Sequence, residues 1–378
     1  MKFAAGPGNV EVRDVPAPEL TPGSILIDVH AVGICGTDRR AIAGGEGVQL
    51  PVTLGHEVAG TIARIAPDVE TPLKVGDRVT VETDAYRCGR CAYCRKGEYN
   101  RCPHRLGIGT TVDGGLAEQI VMPADTVHRL PDRIPMYAAA LTEPLAVAVH
   151  AVVEQGPSLA GEVVVVVGPG AVGLLCAQVA RAVGATVVLV GRSRHRARLE
   201  NARSMGVTHV VDSESDDVEA VVKGLTGGYG AHTVFECSGA PGVLEGLPPL
   251  LRKGGRIVLV AFFDQPPAVD VDRLTQNELE LVGSRGKRAS SFRTALRLME
   301  AGQVDLARVV GARLPLEEWE IGVELVAGGM KVVIELRPGE EFVPGALRDR
   351  AERPAWASRY SPLSTAGLAQ WAGGSPRR

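Results

Sequence analysis

Apolar residues cluster along this chain in short β-branched runs, and the densest of them is Val163 to Val167. Five consecutive valines leave no polar face, which suits a parallel strand buried on both sides. The pattern then breaks at Gly168-Pro169-Gly170-Ala171-Val172-Gly173. From Leu174 to Val183 apolar residues return with helix-compatible spacing that stops at Gly184, and Thr186 to Val190 reads as a second buried strand. Further runs at Thr208–Val211, His232–Glu236, Arg256–Ala261 and Glu280–Gly283 bring the strands to six, the number in a doubly wound parallel sheet. Lys253-Gly254-Gly255 reads as a helix stop before one of them.

The first part of the chain has a different texture. Ile25–Val29, Val58–Ile65 and Arg78–Val81 are β-branched runs bounded by Pro22-Gly23, Gly55 and Gly76-Asp77, with no long helical pattern between them. A mostly β, barrel-like or sandwich-like domain is expected there.

The glycine turn carries the first chemical signal. In a strand–turn–helix–strand unit the first glycine permits a tight turn, the second lets backbone approach a pyrophosphate, and the third lets helix pack on strand. Gly168, Gly170 and Gly173 hold these places, and Ala171 and Val172 open the helix whose N-terminal N–H groups face the phosphates. A dinucleotide site is expected.

Charge and composition exclude other classes. The formal net charge is −3 and charged residues are 22% of the chain, so nothing marks a nucleic-acid or membrane surface. Lys2 is followed by no apolar leader, and no run is expected to reach the length of a membrane span. A cytoplasmic location is expected. Aromatic residues are 4%, so the cores must be largely aliphatic.

Four of the seven cysteines, Cys88, Cys91, Cys94 and Cys102, fall within fifteen residues, which is poor spacing for a secreted disulfide framework. Four thiolates so close repel unless a cation neutralises them, and zinc binds such sets tetrahedrally. A structural zinc is expected, with a redox or iron–sulfur role as the alternative; four protein ligands leave no open position for catalysis. Cys176 and Cys237 lie in or beside predicted elements of the parallel sheet and read as core.

Three other segments are bland singly: Gly33-Ile34-Cys35-Gly36-Thr37-Asp38, Gly55-His56-Glu57 and Thr142-Glu143-Pro144. Together with the cysteine cluster and the later glycine turn, in this order, the chain resembles the zinc-dependent medium-chain alcohol dehydrogenases. Glu143-Pro144-Leu145-Ala146-Val147-Ala148-Val149-His150 is most similar to their polyol branch, the sorbitol and threonine dehydrogenases.

The resemblance covers residues 1 to about 338. It implies a GroES-like catalytic domain over 1–150, an inserted Rossmann domain over 151–284, and a return to the catalytic domain over 285–338. It implies that Cys35 and His56 ligate a catalytic zinc, with Glu57 and Glu143 competing for the remaining protein position. Thr37 resembles the family hydroxyl that relays the alcohol proton, and Asp38 is placed to orient a ligand. Many relatives carry His where this chain has Arg40, which puts the outward proton route in doubt; Arg40 contacts substrate or points to solvent. His150 reads as structural, and Arg285 as a residue that could reach cofactor. A homodimer or homotetramer acting on a small alcohol or ketone is the family expectation.

The adenosine end is distinctive. An NAD site of this kind places Asp or Glu about twenty residues beyond the third glycine, and that count lands on Ser193. Gly191-Arg192-Ser193-Arg194-His195-Arg196-Ala197-Arg198 holds four arginines and no carboxylate. Opposite unit charges 4 Å apart attract by about 4 kcal/mol at an effective dielectric of 20, before desolvation. Ser193, Arg194 and Arg198 therefore predict NADP over NAD, with bidentate guanidinium contact to the 2′-phosphate.

A reading from another class is a catalytically silent, zinc-stabilised NADPH-binding sensor. Retention of Cys35, Thr37, His56, Glu57 and Glu143 argues against it, and against the zinc-free quinone reductases. Residues 339–378 fall outside the family pattern; four prolines and six arginines there suggest an irregular extension, and Trp356 and Trp371 suggest docking as a minority reading.

Overall fold

A long central strand organises the N-terminal half, and a computed structural model describes it and the rest of residues 1–45 and 47–337. The expectations for the extension at 339–378 lie outside the described residues. The chain forms two compact units. Of the described residues, 1–94, 102–141 and 310–337 make the first, and 95–101 and 142–309 the second.

In chain order the elements begin with β1 (Ser24–Ile34), α1 (Gly36–Ile42), β2 (Glu57–Ile65), β3 (Arg78–Val81), β4 (Asp84–Tyr86) and α2 (Ala92–Arg95). Next come β5 (Leu106–Gly107), β6 (Gln119–Pro123), β7 (Val127–Arg129), α3 (Met136–Ala139) and α4 (Thr142–Val149). The Rossmann-type elements are β8 (Val163–Val167), α5 (Ala171–Ala182), β9 (Thr186–Gly191), α6 (Arg196–Ser204), β10 (His209–Asp212), α7 (Val218–Leu225) and β11 (Ala231–Glu236). They continue through β12 (Leu251–Leu259), α8 (Val271–Gln276), β13 (Glu280–Gly283) and α9 (Ala289–Glu300). The chain closes with β14 (Val310–Pro315), α10 (Trp319–Ala327) and β15 (Lys331–Glu335).

The first unit is a seven-stranded sheet in the order β14-β15-β1-β2-β3-β7, with β6 pairing to the far end of β1. β1 runs past the Ile25–Val29 signal to Ile34 because it has partners on both edges: residues 31–34 pair with β15 and residues 24–28 with β6, while β2 lies along the other side. Its core gathers Ile25, Ile27, Val29, Val32, Val58, Ile62, Val79 and Val81.

The second unit is a parallel six-stranded sheet ordered β10-β9-β8-β11-β12-β13. This is the doubly wound order, with strand succession reversing between β8 and β11. The five-valine strand β8 is central, as expected of a strand with no polar face: it pairs with β9 on one side and β11 on the other. Each buried valine in such a position contributes about 1.5–3 kcal/mol of transfer free energy. All six predicted strands are present.

Two readings change. Lys253-Gly254-Gly255 does not stop a helix; it lies inside β12, where pairing jumps from Ala231↔Leu251 to Thr233↔Arg256 and Gly254 takes a positive φ of 69°. The glycines make an irregular bulge rather than a cap. Also, the helical run 136–154 is long and apolar enough to cross a membrane, although 78% of that window is buried inside the protein, the pattern of a core helix.

Candidate functional site

In the first unit, strand pairing assembles a donor set. Gly33 of β1 lies opposite Glu57 of β2, so Cys35, just past the end of β1, comes beside His56 and Glu57. The ligand atoms of Cys35, His56 and Glu57 all lie within 4.8 Å of one another. Asp38 sets the spacing: its buried carboxylate accepts the Cys35 N–H at 2.9 Å and the Gly55 N–H at 3.0 Å. It therefore holds two backbone segments and not the imidazole directly, since His56 Nδ1 is 3.6 Å from Asp38 Oδ1.

The imidazole's environment fits a cation. His56 Nδ1 is buried with no hydrogen-bond partner among the described residues, a cost of about 1–3 kcal/mol unless something compensates it. Burial opposes charge on this ring, but Asp38 and the Cys35 sulfur outweigh it and hold its pKa well above the ordinary value. Burial also pushes Asp38 up, and His56 with the two backbone N–H groups brings it below the usual carboxylate range. A thiol, an imidazole and a carboxylate converging where positive charge is favoured form a donor set suited to zinc.

Glu57 is itself buried and forms an ion pair with Lys331 of β15. Its carboxylate occupies the volume that a side chain at Gly33 would need: a Cβ there would collide with Glu57 Oε2. Thr37 is exposed, with its hydroxyl 3.8 Å from Cys35 Sγ. Arg40 is half-buried on α1.

Glu143 belongs to the second unit, on the first turn of α4. There it is buried and paired with Lys287, which is buried as well. The helical run ends in a π-helical turn, His150–Glu154. His150 is fully buried with Nδ1 2.6 Å from Glu154 Oε2, and Glu154 also accepts from Ser290 and Ser291. The backbone carbonyl of Arg285 accepts from Asn100 at 3.0 Å.

The four clustered cysteines also converge. Cys88 Sγ is 3.9 Å from Cys94 Sγ and 3.7 Å from Cys102 Sγ, and all four sulfurs lie within 4.8 Å. A tetrahedral set with metal–sulfur bonds of about 2.3 Å has its sulfurs about 3.8 Å apart, so the donor set fits zinc. The Cys91 N–H points at Cys88 Sγ and the Cys94 N–H at Cys91 Sγ, each at 3.4 Å. Backbone N–H groups of Arg90 and Cys91 draw Cys88 down to about 6, while burial and the neighbouring thiols push Cys94 up to about 12. Cys176 is buried, and its neighbouring thiol together with burial holds the Cys237 thiol well above the ordinary value, in keeping with core roles.

The glycine turn fits a pyrophosphate. Gly168 has φ +100°, and a Cβ there would come within 2.8 Å of Ser238 past the end of β11; one at Gly173 would collide with the Gly168 carbonyl. At Gly170, the N-cap of α5, nothing among the described residues lies within 4 Å of the Cβ position and none of their side chains caps the helix. Its free N–H groups are a ready anion site. Ala171 and Val172 form the first turn beyond it.

Past β9, Ser193 opens a short 3-10 turn, Ser193–His195. Arg194 Nε lies 3.1 Å from His195 Nε2 and the Arg192 N–H 3.3 Å from His195 Nδ1. A neutral imidazole accepts at only one of these. Burial, with Arg198, Arg194 and Arg192 beside it, drops His195 to about 4. Counting along the sequence missed two carboxylates here. Ser193 Oγ donates to Asp212 Oδ2 at 2.7 Å, and the Ser193 N–H donates to Glu214 Oε2 at 3.0 Å. They arrive from β10, whose Asp212 pairs in register with Gly191, and only the sheet order could have revealed them.

Comparison with known proteins agrees with this architecture. The family model described as an alcohol dehydrogenase GroES-like domain matches residues 21–132, and that of a zinc-binding dehydrogenase matches residues 171–301. A sorbitol dehydrogenase of Halalkalibacterium halodurans is 38% identical over 342 residues, covering 89% of this chain and 98% of that protein. A D-arabitol-phosphate dehydrogenase of Enterococcus avium is 36% identical over 345 residues, covering 90% and 97%. Among solved structures, a zinc-binding dehydrogenase of Sinorhizobium meliloti bound to NADP has a TM-score of 0.79 at 32% identity, covering 87% of this chain and 96% of that one.

A GroES-like β unit with a Rossmann-type parallel sheet defines the medium-chain dehydrogenase class. The chain belongs to the zinc-type medium-chain alcohol dehydrogenases, in their polyol branch. Its reaction class is oxidoreduction of an alcohol.

Proposed function

We propose that this chain is a zinc-dependent dehydrogenase that interconverts a secondary alcohol of a polyol, sugar or amino alcohol with its ketone, using NADP(H) in preference to NAD(H). The observation that carries the reading is the convergence of Cys35, His56 and Glu57 under the control of Asp38. Relatives named for sorbitol, D-arabitol phosphate and L-threonine support the substrate class. Each of those compounds carries a secondary alcohol next to a carbon bearing oxygen or nitrogen.

Cys35, His56 and Glu57 would hold a zinc ion, which would supply Lewis acidity toward the alcohol oxygen, and a bound nicotinamide would supply the hydride acceptor. The protein's own residues do the rest. Asp38 fixes the separation of the cysteine and histidine segments. Thr37, exposed beside the Cys35 sulfur, passes the alcohol proton outward. Glu143, in the second unit, is held by its ion pair with Lys287. Cys88, Cys91, Cys94 and Cys102 hold a second, structural zinc. Gly168, Gly170, Ala171, Val172 and Gly173 cradle the pyrophosphate, while Arg194 and Arg198 attract the 2′-phosphate.

The test is a panel of polyols, polyol phosphates, sugars and hydroxy amino acids assayed with each cofactor on the zinc-loaded full chain. The expected result is activity on at least one secondary alcohol, with NADP favoured in kcat/KM by about tenfold or more and that advantage mostly lost in an Arg194→Ala/Arg198→Ala variant. Equal use of both cofactors would overturn the NADP assignment. Metal analysis should find about two zinc ions per chain; one or none, with no turnover, would favour a silent nucleotide-binding protein. Light scattering should give a dimer or tetramer.

A further inference from the structure

The two hydrogen bonds made by Ser193 assign a role to residues outside the glycine turn and outside the arginine segment. We propose that Asp212 and Glu214 are cofactor-specificity residues that hold down this chain's preference for a 2′-phosphate. The inference rests on the reading that a nicotinamide dinucleotide binds with its adenosine ribose at the end of β9.

That location follows from the doubly wound order, in which the residues just past the second strand read the ribose hydroxyls. In the NAD arrangement the same strand delivers a carboxylate there. Here Ser193 stands in its place, and the neighbouring strand delivers two. A serine hydroxyl has one proton to donate. Ser193 gives that proton to Asp212 and its backbone N–H to Glu214. What remains is the lone pairs of Oγ, which can accept from a ribose hydroxyl but have nothing to give a phosphate oxygen.

The carboxylates are ordered by their own turn. Asp212 Oδ1 accepts the Glu214 N–H at 3.1 Å, and the Asp212 N–H donates to Asp216 Oδ2 at 2.9 Å. Their hold on Ser193 is thus part of a fixed structure and not a chance meeting of exposed side chains. Burial and the neighbouring Arg198, Arg194 and Arg192 hold His195 at about 4, neutral near pH 7, while Glu214 acts on the same ring in the opposite sense. The arginines near Ser193 favour a dianion and the two carboxylates disfavour it. Two carboxylates near an incoming phosphate oppose it, while a ribose hydroxyl meets no such opposition.

The experiment is calorimetric titration of the zinc-loaded full chain with 2′,5′-ADP and with 5′-AMP, which differ by the 2′-phosphate alone. In an Asp212→Asn/Glu214→Gln variant the Kd for 2′,5′-ADP should fall about five- to twentyfold while that for 5′-AMP changes less than about twofold. Asp272→Asn, an exposed charge loss on α8, should move neither. An unchanged ratio of the two Kd values, or an equal shift in both, would overturn the assignment. Should the double variant not fold, Glu214→Gln alone carries the same test, because its lost contact is to one exposed backbone N–H. The NADP reading fails by a different result: the unaltered chain binding 2′,5′-ADP no better than 5′-AMP, with Arg194→Ala/Arg198→Ala changing neither.

Discussion

Asp38 accepts the backbone N–H of Gly55 at 3.0 Å, across a separation of seventeen residues. With its other oxygen on the Cys35 N–H, one buried carboxylate fixes where both the thiol and the imidazole of the donor set begin. Asp38→Asn keeps the volume but turns one acceptor into a donor facing an N–H group. We expect zinc affinity at this site to fall about 10–100-fold, and stability by about 1–3 kcal/mol. Competition with a chromophoric chelator and thermal unfolding check the two; unchanged affinity would mean that the cysteine and histidine segments hold themselves.

The cysteine cluster predicts a separable metal. Cys94→Ser should remove one zinc ion per chain and lower the unfolding temperature, leaving the ion at Cys35, His56 and Glu57 in place. Elemental analysis on the purified variant decides it. Loss of both ions together would show that the sets are not independent.

Lys287 and Glu143 form an ion pair in which both side chains are buried. Lys287→Met removes a partner from a buried carboxylate, and unfolding in denaturant should lose about 3–5 kcal/mol. Lys287→Arg should recover much of it by keeping the charge. If methionine proves as stable as lysine, other contacts of Glu143 suffice.

Glu154 gives a pH dependence. Burial pushes its pKa up, but hydrogen bonds from His150, Ser290 and Ser291 bring it below the ordinary 4.5. A folded pKa below the unfolded one means the ionised form is favoured by folding. The stabilisation is complete above the unfolded value and disappears as pH falls through the folded value. Glu154→Gln should therefore cost about 1–3 kcal/mol near pH 7, and the gap to the unaltered protein should narrow steadily below pH 4.5. A gap independent of pH would assign the effect to packing.

Much of this was legible in the sequence because it is local. Val163 to Gly184 announces strand, turn and helix within one short stretch, and Cys88 to Cys102 brings four sulfurs together within fifteen residues. The convergence of Cys35, His56 and Glu57 was available only through family resemblance, since strand register creates it. Lys331 and Lys287 carried no signal: a lysine at the start of a strand or in a glycine-flanked loop is normally solvated, and only the fold buries these two against glutamates. Asp212 and Glu214 were invisible for a related reason. The cofactor fingerprint is counted along one strand, whereas these carboxylates arrive from the next one in the sheet. At Lys253-Gly254-Gly255 the composition of a cap was used for a bulge, and local chemistry is the same in both.

Gly33 shows how far a strand can contribute by supplying nothing. The room left by one missing carbon in β1 is taken up by an acid belonging to β2, so two chains of backbone share a single socket. A methyl group at that point would force a choice between keeping the strands aligned and keeping Glu57 indoors. Any redesign of the metal chemistry therefore has to begin with an atom the protein does not possess.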